Sequence, residues 1–421
     1  MASREVRRFS KAEPRFFYGY IVVIAAFFIL VLMFGILSTF GIFFKPMLTA
    51  FGWTRAVLSG AFLLFWIVEG LLKIVVGRVN DRLGSRIVLT VCGSIFGLGY
   101  LLMSQISTLW QLYLLYGVLV AAGISGTFVP LASTVARWFV KRRGMMTGVV
   151  VAGIGVGGLI APPAANWLIS IYGWRVSYII LGSIAWVVVV LVAQLLRRDP
   201  TQVGQMPYGE NKKETGLKGD TEAFSLKGAA SSTQFWLISS MFLCLGFCMY
   251  VISVHIAPHA IDLGFSAASA ANILAAVAGA GVIGRVVLGS AVDRIGNRQV
   301  FVIGFVLMAA ALFWLVPATE AWPLYLFAAV FGFASGGCIM SESPLVAGLF
   351  GLRSHGLILG VTTIGYSIGA GVGPFLAGYI FDVTNSYHVI FLVCAAISVI
   401  GLILSTLLRP ITDTQGKITA M

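Results

Sequence analysis

The chain has 421 residues, of which 59% are apolar and 10% charged, and its mean hydropathy is +0.98. An ordinary soluble domain carries roughly 25% charged residues, so this composition excludes a soluble enzyme, a disordered chain and a nucleic-acid-binding protein. The net charge of +13 sits on too few charges for a DNA partner and suits an anionic membrane surface. All five cysteines lie inside apolar runs, with neither disulfide nor metal spacing, so neither a metal nor a cofactor is expected.

A membrane-crossing helix needs about 20 mostly apolar residues. A short polar N-terminus, 1–16, precedes the first such run, which is too long for a signal-peptide core and is expected to be retained. Six spans are predicted at 17–44, 56–77, 86–106, 110–135, 144–168 and 175–196. The segment 197–230 is polar, rich in Gly and Lys, and reads as a flexible linker. Six more spans follow at 234–257, 267–290, 299–317, 321–346, 356–381 and 387–409, then a tail, 410–421. The predicted organisation is an all-α membrane protein with twelve transmembrane helices in two pseudo-symmetric six-helix bundles, 17–196 and 231–409.

Lys and Arg orient the spans. With the N-terminus inside, 23 of the 28 fall on cytoplasmic segments and three on outer loops (Lys45, Arg55, Arg175). The remaining two, Lys73 and Arg285, lie inside spans. Both termini are therefore expected in the cytoplasm. The chain has no Asn-x-Ser/Thr sequon, which fits a bacterial inner membrane.

The halves repeat at one offset of 212 residues. GRVNDRLGSR (Gly77 to Arg86) matches GSAVDRIGNR (Gly289 to Arg298). Gly144, Gly148, Gly153, Gly157 and Pro162 match Gly356, Gly360, Gly365, Gly369 and Pro374. Two similar bundles imply a pseudo-two-fold axis along the membrane normal, with a substrate path between them. Gly77 and Gly289 allow close helix contact, and Gly84 and Gly296 a tight turn. Asp81 and Asp293 can accept bonds from a neighbouring helix N-terminus. With Arg82 and Arg294 beside them they form a candidate cytoplasmic gate. The glycines of spans 5 and 11 let helices approach and slide.

The twice-occurring Gly-x-x-x-Asp-Arg-x-Gly loop resembles the signature of the major facilitator superfamily. WFVKRRGMMTG (Trp138 to Gly148) and AGIGVG (Ala152 to Gly157) resemble the span 4–5 motif of its monocarboxylate porters. FYGYIVV (Phe17 to Val23) and GIFFK (Gly41 to Lys45) resemble that family's opening motif, without its acidic residue before Gly19. HIAPHAIDLG (His255 to Gly264) resembles bacterial relatives, which include oxalate/formate exchangers. The resemblance spans about 16–410. It implies a monomeric secondary transporter working by alternating access, with a small carboxylate as substrate.

Ionisable groups inside a membrane are functional candidates by default. Arg285 lies two turns before Asp293, at roughly midplane depth. No acid lies one turn away on its own span, so its guanidinium suits a carboxylate, held by two parallel hydrogen bonds. The resemblance implies the same role, since monocarboxylate porters bind substrate with an Arg in this span. The alternative is a structural pair with an acid elsewhere, for example Glu342. Glu69, one turn before Lys73, makes either a neutralising intrahelical pair or a second charge site for proton coupling. His255, near the outer end of span 7, can carry a proton, hydrogen-bond a hydroxy-acid or sit at an interface. Helix placement and the resemblance put Met33, Ile124, Val150, Gly281 and Ser367 at the pocket border.

Three departures bear on mechanism. Animal members carry an Asp where this chain has Gly281, and a Lys where it has Ser38. The oxalate exchangers carry a second cation at the position of Thr362. The first two remove the usual proton-carrying pair of those relatives, and the third favours a monoanion. The reading is a proton-coupled symporter of a monocarboxylate such as lactate or pyruvate, with Glu69, Lys73 and His255 as proton candidates. The alternative is a carboxylate/carboxylate exchanger. A drug/proton antiporter would want a cavity acid rather than an unpaired Arg. A receptor or enzyme would need a soluble domain or a nucleophile–base pair, and neither is evident.

Overall fold

A computed structural model of the chain describes residues 16–53, 55–209, 224–384 and 386–409. The N-terminal stretch 1–15, the middle of the 197–230 segment and the tail from 410 lie outside the described residues. So does the side chain of Asp382.

Eleven helices among the described residues are long and apolar enough to cross a membrane. In chain order they are α1 (Gly19–Phe43), α2 (Gly60–Leu83), α3 (Ser85–Met103), α4 (Leu109–Trp138) and a double helix, Arg143–Ala193. Then come α7 (Thr233–Asp262), α8 (Ser269–Ile295), α9 (Asn297–Leu315), α10 (Ala321–Phe350), α11 (His355–Phe381) and α12 (His388–Leu407). The double helix has 51 residues, about 76 Å at 1.5 Å per residue, against a bilayer core of roughly 30 Å. It breaks at Gly173, φ 75° and ψ 165°, into α5 before the break and α6 after it. Twelve crossings result, with one glycine in place of a loop. Gly84 (φ 83°, ψ 163°) and Gly296 (φ 87°, ψ 160°) make the same turn after α2 and α8. Only glycine tolerates this backbone region without strain.

Each half has its own core. One cluster of buried side chains is built almost wholly from residues before 200, the other almost wholly from residues after 228. The exterior is as apolar as the interior: Leu71, Trp167, Leu191 and Phe375 all point outward. Such all-round apolarity marks helices solvated by lipid. All five cysteines are free and buried.

The segment read as a flexible linker is structured over its first third. Tyr208 donates its backbone N–H to the Trp138 carbonyl (2.9 Å), and its own carbonyl accepts from Val140 and Lys141. Gln205 ties the same segment to the Tyr18 N–H and the Phe16 carbonyl, both at 2.9 Å. A short helix, Leu226–Ala230, begins the return toward α7.

Candidate substrate cavity and inter-half latches

The halves meet along two seams, α5 on α8 and α2 on α11. A methyl on Gly148 would collide with the Arg285 carbonyl, and one on Gly360 would sit 2.6 Å from the Lys73 carbonyl. Likewise a methyl on Gly144 would lie 2.6 Å from the Gly289 carbonyl, and one on Gly77 would collide with that of Gly356. Every pair maps onto another by the same 212-residue shift. Glycine lets the backbones touch here. The contacts cluster at the end of the bundle carrying the Arg- and Lys-rich loops, the basic end. Toward the opposite end the first seam opens, since a methyl on Gly158 would meet nothing within 4 Å.

Two carboxylates latch the closed end. Asp81 accepts backbone N–H bonds from Gly356 (3.1 Å) and Leu357 (2.9 Å), at the start of α11. Asp293 accepts from Gly144 (2.9 Å) and Met145 (3.0 Å), at the start of α5. Each carboxylate sits on one half and caps a helix N-terminus of the other, where the helix dipole favours negative charge. Arg142, with φ 65°, turns the chain so that the Gly144 and Met145 N–H groups face Asp293. The latches differ in exposure, Asp293 being exposed and Asp81 only partly so, and in the cation beside each carboxylate. Arg137 of α4 pairs with Asp81 at 3.1 Å, and 3.6 Å away it also meets Asp199. The residue equivalent to Arg137 in the second half is Leu349. Arg82 and Arg294 are exposed and form no ion pair among the described residues. The cation paired with a latch carboxylate among the described residues is thus Arg137, while Arg143 acts on Asp293 electrostatically without an ion pair.

Between the halves lies a cavity of about 640 Å³. Its wall is largely apolar, with Phe34, Leu37, Phe62 and Trp66 from the first half and Met249 and Val277 from the second. Ser38, Tyr250, Ser253, Ser335 and Arg285 supply polar groups. Arg285 is 6% exposed, and its Nε and Nη1 have no hydrogen-bond partner among the described residues. Its guanidinium packs against Gly155 of α5, so both halves enclose it. A mostly apolar pocket with one unsatisfied guanidinium can hold a small organic anion by its carboxylate.

Lys73, the repeat partner of Arg285, is satisfied. It pairs with Glu69 at 2.8 Å and donates to the Ser367 hydroxyl at 3.1 Å, while that hydroxyl donates to Glu69 at 3.1 Å. The residues equivalent to Glu69 and Ser367 around Arg285 are Gly281 and Gly155. Both partners of the first cation are glycines at the second.

Of the residues expected at the pocket, Arg285 and Gly281 line the cavity. Ser367 instead ties α11 to the Lys73–Glu69 pair and borders a separate apolar crevice, about 410 Å³, on the outer face of the α2–α11 seam. Met33 is fully buried, its sulfur accepting from the Thr127 hydroxyl at 3.2 Å. Ile124 and Val150 are buried in the first half's core. His255 does not line the cavity: Nε2 lies 3.1 Å from the Pro374 carbonyl and Nδ1 lies 3.4 Å from the Tyr387 hydroxyl. Trp66, Tyr250 and Ser335 were missed. A phenol in mid-span was the available signal for Tyr250.

The profile of the Major Facilitator Superfamily matches residues 26–290 and 259–420. The chain belongs to that superfamily. A monocarboxylate transporter 13 of Rattus norvegicus is 26% identical over 386 residues, covering 91% of this chain and 87% of its own length. An uncharacterised major-facilitator-type transporter of Escherichia coli is 30% identical over 308 residues, 70% of this chain and 72% of its own. A solved major-facilitator proton:xylose symporter has the same fold, with a TM-score of 0.77 at 14% identity, covering 96% of this chain and 98% of its own. As a member it is a secondary transporter embedded in a membrane, and not an enzyme.

Proposed function

We propose that this transporter moves a small monocarboxylate of the lactate and pyruvate class, together with a proton, by alternating access. The carrying observation is Arg285: a buried guanidinium, open to a cavity between the halves, with two nitrogens unsatisfied. A carboxylate docking there satisfies them and removes the cost of an uncompensated buried charge. The apolar wall suits a short alkyl tail, and one cation favours a monoanion. The names of the monocarboxylate transporters it resembles support the same class.

In this reading the basic end faces the cytoplasm of a bacterial cell, as the Lys and Arg bias supports, and the cavity is open to the outside. Asp81 and Asp293 hold the cytoplasmic gate shut. Substrate binding at Arg285 draws the upper halves together, and the latches part.

The test is labelled lactate uptake into vesicles of the purified protein under an inward proton gradient. Accumulation that collapses with protonophore, and is lost in Arg285→Lys, is the expected result. The substitution keeps the charge but loses the planar fork. Near-normal affinity in that variant would overturn the clamp. A second reading, exchange of one carboxylate for another, is favoured by Gly281, which leaves no acid beside Arg285 on α8. It predicts counterflow indifferent to the proton gradient.

A further inference from the structure

Glu342 of α10 is 3% exposed, and its Oε1 has no hydrogen-bond partner among the described residues. No described cation lies within ion-pair distance, for Lys73 is already held by Glu69 and Ser367. The groups facing it come from several helices. Lys73 of α2 and Tyr366 of α11 interact with it electrostatically, as does Cys338 one turn away on α10. His355 of α11 contacts the carbonyl of the adjacent Ser343 at 3.1 Å. Tyr366 also interacts electrostatically with Arg285 of α8, so one phenol is near both the cation and the acid.

Depth follows from the packing of α8 on α10, which run in the same direction. Gly336 packs on the Gly281 carbonyl and Gly337 on Leu288, which puts Arg285 near the level of 336–338. Glu342 is therefore roughly one turn nearer the basic end. It lies beneath the cavity floor and above the latches.

An ionised carboxylate without partners in such a place costs several kcal/mol, so the neutral acid is the form that fits this conformation. We propose that Glu342 is the proton site of the transport cycle: it holds a proton while the basic end is shut and releases it to that side when the latches part. This assignment rests on the proton-coupled reading above. The proton arrives from cavity water on the side where Tyr250 lines the cavity and meets Tyr366 edge-on, ring centroids 6.1 Å apart. It departs to water at the basic end, leaving the carboxylate.

Charge bookkeeping explains why one proton travels with one anion. Glu69 and Lys73 cancel. In the loaded carrier the substrate carboxylate cancels Arg285 and Glu342 is neutral. In the empty carrier ionised Glu342 balances the charge of Arg285 during the return, and it regains a proton from the cavity side once the basic end has shut. Neither form buries net charge as it crosses between states, whereas an anion without the proton would leave one uncompensated negative charge.

The experiment compares wild type with Glu342→Gln and Glu342→Asp, as full-length protein in vesicles with labelled lactate. Two readouts are taken: accumulation driven by a proton gradient, and lactate/lactate exchange with no gradient. Glu342→Gln, a permanent mimic of the protonated acid, is expected to lose accumulation and keep exchange, now independent of pH. Glu342→Asp is expected to keep part of the accumulation. Accumulation surviving in Glu342→Gln would overturn the assignment, and so would loss of exchange, because a neutral side chain leaves the Arg285 site intact. Wild-type vesicles that exchange lactate but never accumulate it, or that do so on a sodium gradient instead, would overturn the coupled reading itself.

Discussion

Removing the Asp81 carboxylate tests whether the two latches are unequal. Asp81 receives three bonds, two from the start of α11 and one from Arg137. Asp293 receives two and is exposed. A carboxylate at an exposed helix N-terminus is worth about 0.3–1 kcal/mol, and up to about 2 when partly buried. Breaking a largely buried ion pair from one side costs about 3–5 kcal/mol, here reduced because Arg137 keeps Asp199 at 3.6 Å. Asp81→Ala should therefore weaken the closed basic end by about 3–4 kcal/mol, and Asp293→Ala by about 1 kcal/mol. At 1.4 kcal/mol per factor of ten, the first shifts the closed-to-open ratio by roughly 100- to 1000-fold and the second by roughly fivefold. Spin labels on Arg82→Cys and Arg294→Cys, exposed positions on opposite halves, read the separation of the basic end; the native cysteines are all buried. Asp81→Ala should populate the long distance and Asp293→Ala should barely do so. Equal shifts, or a larger one from Asp293→Ala, would refute the argument that Arg137 makes the first latch the stronger.

Gly148→Ala and Gly360→Ala push a methyl onto the carbonyls of Arg285 and Lys73. Each should cost about 1–3 kcal/mol of closure at the basic end, read as a longer spin-label distance and a lower melting temperature, whereas Gly158→Ala should change neither. Gly281→Glu restores beside Arg285 the acid that Lys73 already has. A methyl there meets nothing closer than the Gly332 carbonyl at 3.4 Å, so the side chain has room to start. The new carboxylate competes with substrate, so lactate affinity should fall at neutral pH and recover as acid protonates it. Unchanged affinity across pH would refute the equivalence of the two sites.

The repeat made most of the architecture legible. Gly84 and Gly296, and the two Asp residues three positions before them, stood at one offset in the sequence and adopt one geometry in the structure. Arg285 was legible as a candidate because a cation in an apolar run, without an acid one turn away, needs either a partner on another helix or a ligand. The pocket wall was not. A soluble helix betrays its buried face by polarity on the other, but these helices are apolar on both, so Met33, Ile124 and Val150 could not be told from Phe34, Trp66 and Val277. The partners of Asp81 and Lys73 were hidden for a different reason. Arg137 and Ser367 lie 56 and 294 residues away in sequence, and only the packing of α4 and α11 against α2 brings them in. Composition also misjudged residues 197–209, whose backbone pairs with the end of α4 through Tyr208 whatever its side chains.

Broken symmetry accounts for where the site is. Two identical bundles around a two-fold axis along the membrane normal would place identical cations, at the positions of Lys73 and Arg285, at one depth on either side of that axis. If both were satisfied the centre would be a structural knot, and if both were bare two uncompensated charges would sit in one low-dielectric space. The chain instead satisfies one within its own seam, through Glu69 and Ser367, and strips the other by substituting Gly281 and Gly155 at the equivalent positions. The lost side chains leave both the unsatisfied guanidinium and the space beside it. The Lys73 site then holds α2 to α11, and the Arg285 site, on the opposite seam, is left to a ligand. Glu342 has no counterpart in this scheme, since its equivalent is Pro130. In the proposed cycle it is the acid of the second half that is neutral or charged as the Arg285 site fills and empties.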